Sequence, residues 1–178
     1  MYRIILVGPG GSGKDYARNL LEQCGFHYCP VYTTRPMREN EINGKDYFFI
    51  AEKYFKKIER HNKFYTCNKW LVENNYWYYG LSKDLFNDHK YDLFIMTPLD
   101  IKQLSEKDKN DSIIIYLNID ENIRRERLSI RNDKDSVERR IISDRKDFEN
   151  FDTYNIKIDN NNFNTSDLIE YLYEYVNN

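Results

Sequence analysis

Cysteine is scarce in this chain of 178 residues: Cys24, Cys29 and Cys67 are the complete set, and no two stand in CxxC spacing. An odd count excludes a fully paired disulfide framework. His27, His61 and His89 are too few and too scattered to complete a zinc finger with those thiols. Long hydrophobic runs are missing as well. The first apolar stretch, Tyr2 to Val7, is too short for the core of a signal peptide or for a membrane span. Neither charge sign is in excess: 27 Lys and Arg face 29 Asp and Glu, for a net charge of −2. That balance argues against a nucleic-acid coat or a protein drawn to anionic membranes. Internal repeats and low-complexity linkers are absent too; Asn160-Asn161-Asn162 is only a short turn. These absences lead us to expect a reduced, cytoplasmic protein, with no nucleic-acid or membrane partner.

What the chain does have is aromatic mass. With 16 Tyr and 10 Phe it can build a core despite a mean hydropathy of −0.82, so disorder is not expected. The length fits one domain with room for an inserted lobe, as a monomer or homodimer. Ile4-Ile5-Leu6-Val7, Leu93-Phe94-Ile95-Met96 and Ile113 to Leu117 are continuous apolar runs of the kind that strands buried on both faces show. Helical spacing follows the first run from Asp15 to Gln23 and recurs near 101–106, 121–130, 137–148 and 165–175, with a short strand expected at 155–158. Strands alternating with helices predict an α/β fold with a parallel sheet wrapped by helices. Residues 32–90 differ, being aromatic and turn-rich, as in Tyr47-Phe48-Phe49-Ile50 and Tyr76-Trp77-Tyr78-Tyr79. They read as a small mixed lobe inserted into the core, in which the aromatic stretch from Tyr65 to Tyr79 builds the interior or stacks a base.

Gly8-Pro9-Gly10-Gly11-Ser12-Gly13-Lys14 satisfies G-x-x-x-x-G-K directly after a strand and before a helix. Glycines let successive N–H groups turn toward a phosphate, the helix start adds positive potential, and the lysine reaches the terminal phosphates. This predicts ATP binding by residues 8–15. The residue after Lys14 is Asp15, where a hydroxyl usually stands. Its carboxylate suits Mg²⁺ as a hard oxygen ligand, or serves the first turn of its own helix.

Thr33-Thr34-Arg35-Pro36-Met37-Arg38-Glu39-Asn40-Glu41-Ile42-Asn43-Gly44-Lys45-Asp46-Tyr47-Phe48-Phe49 resembles the signature of the guanylate kinase family, T-T-R-x-x-R-x-x-E-x-x-G-x-D-Y-x-F, at every fixed position. Tyr78-Tyr79-Gly80 and the order of the remaining elements fit the same family, so the resemblance spans nearly the whole chain. It implies a P-loop NTPase-type sheet flanked by helices, with a core at 1–31 and 91–178, a helical lid near 124–146 and a nucleotide-binding lobe at 32–90. It further implies transfer of the γ-phosphate of ATP to GMP or dGMP with Mg²⁺. Arg35, Arg38, Glu41, Tyr47 and Tyr79 would bind the acceptor, two guanidiniums clamping its dianionic phosphate. Lys14, Arg35 and the lid arginines Arg127, Arg131 and Arg140 would act on the transferring group, with Arg139 the rival of Arg140. Asn160 or Asp159 would lie near the adenine.

The base-reading positions depart from that family. Its serine before the signature is Val31 here, its serine after the Tyr-Tyr-Gly motif is Leu81, and its glutamate falls near Thr66, unless Glu73 substitutes. Where the family shows an acidic strand, the chain reads Met96-Thr97-Pro98, with Asp100 beyond. Sites that pair polar base edges discriminate strongly, and apolar replacements give that up. A kinase of this fold for another nucleoside monophosphate is therefore the second expectation, and a binding module without activity the third. The missing strand carboxylate also makes Asp15 a candidate substitute near the metal.

Overall fold

The apolar runs become strands buried on both faces. The computed structural model describes residues 3–130 and 135–177. In chain order come β1 (Arg3–Val7), α1 (Lys14–Gln23), β2 (Val31–Thr33), β3 (Tyr47–Phe49), α2 (Glu52–Arg60), β4 (Phe64–Val72), β5 (Asn75–Ser82) and α3 (Lys83–Phe86). There follow β6 (Leu93–Ile95), α4 (Pro98–Gln103), α5 (Glu106–Asn110), β7 (Ser112–Leu117), α6 (Glu121–Ser129), α7 (Val137–Phe148), β8 (Ile156–Ile158) and α8 (Thr165–Asn177).

Four strands form an all-parallel sheet in the order β6-β1-β7-β8. Successive side chains point to opposite faces, and each face has its own helices. Ile4, Leu6, Ile113, Ile115 and Leu117 pack against α1 and α8 through Ala17, Leu21, Leu168 and Leu172. Ile5, Val7, Phe94, Ile114 and Tyr116 pack on the other side with Phe86, Ile101 and Leu81. The chain leaves β1 for β6 on one side and then crosses to β7 on the other. In open α/β sheets ligands bind beyond the carboxyl ends of strands at such a reversal. Gly8 follows β1 at that end.

A second sheet, β3-β2-β5-β4, is mixed: β2 pairs parallel with β3 and antiparallel with β5, which pairs antiparallel with β4. Its outer face rests on α2 through Phe55, Phe64 and Tyr78. Its inner face looks across a cleft toward the first sheet. Among the described residues no helix is long and apolar enough to cross a membrane.

Candidate active site

The phosphate loop is held open by backbone geometry that only glycine tolerates. Gly11 has φ 78° and a β-carbon there would lie 2.8 Å from the Arg124 carbonyl; Gly13 has φ 92° and starts α1. No side chain caps α1, which leaves first-turn N–H groups for an anion. Lys14 folds over the loop, its Nζ donating to the carbonyls of Gly8 at 2.6 Å and Pro9 at 3.1 Å. Arg124 donates to the Gly10 carbonyl at 3.4 Å and to the Ile119 carbonyl at 3.1 Å. Arg127 donates to the Gly11 carbonyl at 3.2 Å and the Asn161 carbonyl at 2.8 Å. Two of the three arginines of α6, Arg124 and Arg127, thus brace the loop from behind, while Arg125 pairs with Glu121 and Glu138.

Across the cleft, the signature folds around a buried ion pair. Arg35 is 4% exposed and meets Glu41 with two parallel bonds, Nη2 to Oε1 at 2.6 Å and Nη1 to Oε2 at 3.0 Å. Glu41 also accepts from the Arg38 backbone N–H at 2.7 Å and from Arg38 Nη1 at 3.2 Å. Burial alone would lower the Arg35 pKa, yet the Glu41 bonds outweigh it and hold it above its ordinary value. Burial would likewise raise Glu41, but the Arg35 and Arg38 contacts leave it lowered. Arg35 stacks over the rings of Tyr47 and Phe49, 5.1 and 5.4 Å from their centroids. The Tyr47 and Tyr79 rings meet edge-on at 6.1 Å. Burial pushes both phenol pKa values up, so each hydroxyl remains a hydrogen-bond donor at neutral pH.

These two halves face one cleft of about 260 Å³, lined by Gly8, Gly10 and Lys14 from the loop, by Arg38 from the connection between β2 and β3, and by Tyr47 and Tyr79 from the second sheet. The register of β4 with β5, Thr66 opposite Leu81, Asn68 opposite Tyr79 and Trp70 opposite Trp77, puts all six on one face. All but Asn68 line the cleft. Beside Thr66 and Leu81 the wall is apolar, with Val31, Phe94 and Met96. Asp100 lines it too, but its carboxylate accepts from Thr97 N at 2.9 Å, Thr97 Oγ1 at 2.7 Å and Asn68 Nδ2 at 2.6 Å. It is committed to capping α4. Glu73 sits at the exposed hairpin turn between β4 and β5 with φ 54°, away from the cleft, so the loop has not grown to bring it in.

The cleft's third wall is α7. Arg139 and Arg140 line it, and both donate to Asp135 just before the helix, Arg140 Nε at 2.9 Å. Arg127, expected beside them, lies behind the loop and not on the cleft wall. Arg131 falls outside the described residues. Asp15 is exposed in the first turn of α1 and near enough to act electrostatically on Arg18, Tyr28 and Tyr47, on the side of the second sheet. Asn160 bonds Asp167 at 3.2 Å and Asp159 bonds Asn118, each fixing the turn before α8.

Sequence reasoning missed Asp144. Its Oδ2 accepts from Gly10 N at 2.9 Å and Arg124 Nη1 at 3.4 Å. Burial raises its pKa, opposed by Lys14, Gly10 N–H, Arg124 and Arg140. The usable signal was spacing: Arg140, Ser143, Asp144 and Asp147 fall on one face of α7, and all line the cleft.

The guanylate kinase family model matches residues 1–177. The guanylate kinase of Helicobacter pylori strain 26695 is 26% identical over 171 residues, covering 92% of this chain and 81% of that protein. That of Mycoplasma mobile is 41% identical over 83 residues, covering 45% of this chain and 39% of the relative. Among solved structures, the guanylate kinase of Anaplasma phagocytophilum superposes with a TM-score of 0.68 over 99% of this chain and 84% of that one, at 17% identity.

Proposed function

The chain belongs to the guanylate kinase family and is an ATP-dependent nucleoside monophosphate kinase, and from that premise we propose that its acceptor is GMP or dGMP and that ATP enters as its Mg²⁺ complex. One observation carries this reading: the phosphate loop and a preformed arginine–tyrosine clamp open onto the same cleft.

The work is positioning and charge neutralisation. Arg38, Tyr47 and Tyr79 hold the acceptor phosphate, with Arg35 aligned by Glu41 at its back. The loop N–H groups and Lys14 hold the donor phosphates, for which Lys14 exchanges the Gly8 and Pro9 carbonyls. Arg139 or Arg140 leaves Asp135 to meet the transferring group. The acceptor oxygen is already anionic near neutral pH, so no general base is required. Arg127 keeps the loop in shape.

The donor set suits a cation carried in on the nucleotide. Among the described residues no group of three or more His, Cys, Asp or Glu could hold a metal ion, so phosphate oxygens would supply most ligands. Asp15 and Asp144 are the carboxylates beside the loop. When bound, the ion neutralises charge on the phosphates.

A second reading, another base in place of guanine, is favoured by the wall of Val31, Leu81, Phe94 and Met96, which offers no carboxylate to guanine's N–H edge. The test is ADP release with Mg·ATP and each common ribo- and deoxynucleoside monophosphate, with Lys14→Ala as blank. Turnover with GMP or dGMP supports the first reading, and turnover with another base alone replaces it by the second.

A further inference from the structure

Asp144 opposes what the rest of the phosphate loop favours. Its carboxylate takes the Gly10 N–H at 2.9 Å, a donor that the loop otherwise turns toward an anion. The fit is close: a β-carbon on Gly10 would lie 3.3 Å from the same oxygen. Lys14, Arg124 and Arg140 all act on this carboxylate, and Asp147, on the same face of α7, adds like charge. Part of the positive potential available to a phosphate is thus already neutralised. The loop does not need Asp144 for its shape, because Ser12 N bonds the Pro9 carbonyl at 3.2 Å and Arg124 and Arg127 hold the carbonyls of Gly10 and Gly11.

We propose that Asp144 selects the charge state of the donor nucleotide, making the loop reject metal-free ATP and accept ATP accompanied by a divalent cation. The inference rests on reading the cleft as an ATP site. Free ATP exceeds its Mg²⁺ complex in negative charge by the full charge of the cation, so a carboxylate at short range repels it more. The complex meets in the same carboxylate a hard oxygen.

Isothermal titration calorimetry of the full chain with ATP, once in EDTA and once in excess Mg²⁺, tests this. Asp144→Asn keeps shape and an acceptor for Gly10 without charge, Asp144→Ala removes both, and Asp144→Glu keeps the charge. We expect the Asn and Ala variants to bind metal-free ATP roughly tenfold or more tightly than wild type, the scale of a charge-assisted bond. Their preference for Mg·ATP over free ATP should shrink accordingly, whereas Glu should retain it. An unchanged or larger preference in both neutral variants overturns the proposal while leaving the ATP site standing. Failure of wild type to bind ATP in either buffer overturns the ATP-site reading and this inference with it.

Discussion

The two ends of the cleft are built on different principles. The phosphate end is made of backbone N–H groups, a lysine and paired arginines, each held by named partners. The end proposed to receive the base is a wall of Val31, Leu81, Phe94 and Met96 with Thr66 buried among them. Phosphate chemistry is common to all nucleotides, so its machinery tolerates little change. A base wall can change composition and keep the reaction while changing what is accepted. Substitutions at the first end should therefore strike turnover, and at the second should redistribute it among acceptors.

The largest effect is expected at Lys14. Lys14→Ala should lower kcat about a thousandfold, the scale of losing an electrostatic stabiliser of the transition state, while thermal melting stays near wild type. A loss below tenfold would break the assignment of this end. Arg35 and Arg38, the proposed clamp, should then separate from each other. Arg35→Ala leaves Glu41 without its buried partner and should destabilise the fold by about 3–5 kcal/mol in denaturant melts. Arg38, whose side chain is 30% exposed, should cost under about 1 kcal/mol as Arg38→Ala. That variant should chiefly raise the acceptor KM and lower kcat. Wild-type kinetics from Arg38→Ala would remove it from the clamp.

The base end is sharpened by Thr66→Glu. Thr66 is 2% exposed, so a carboxylate there should destabilise the free protein by about 2–4 kcal/mol. If guanine occupies this wall, GMP should recover more stability in the variant than in wild type, by linkage. Equal stabilisation of both would place the base elsewhere. The smallest effect concerns acid. Glu41 titrates below its ordinary value of about 4.5, so its contribution is present above that value and lost as pH falls through the folded one. Glu41→Gln should remove that part of the acid-induced loss of stability, read as a shallower fall of the melting temperature with acid than in wild type.

The legibility of the sequence follows the same division. β1, the glycine loop and α1 could be read because strand, turn and helix signals are local. The Arg35–Glu41 signature could be read for the same reason. The α2 helix was not read: its nine residues bury Phe55 alone, too little apolar periodicity to stand out in an aromatic segment. Asp144 escaped because its partner Gly10 lies 134 residues away, and nothing local marks such a contact. Spacing equally could not tell that Arg127 turns behind the loop while Arg140 faces the cleft.

The central claim is that one cleft joins a donor triphosphate to an acceptor monophosphate. Coupled ADP release with Mg·ATP across a panel of nucleoside monophosphates tests it most directly. Acceptor-dependent turnover that Lys14→Ala abolishes, with GMP or dGMP preferred, is the predicted result. ATP binding with no turnover on any acceptor would contradict the claim.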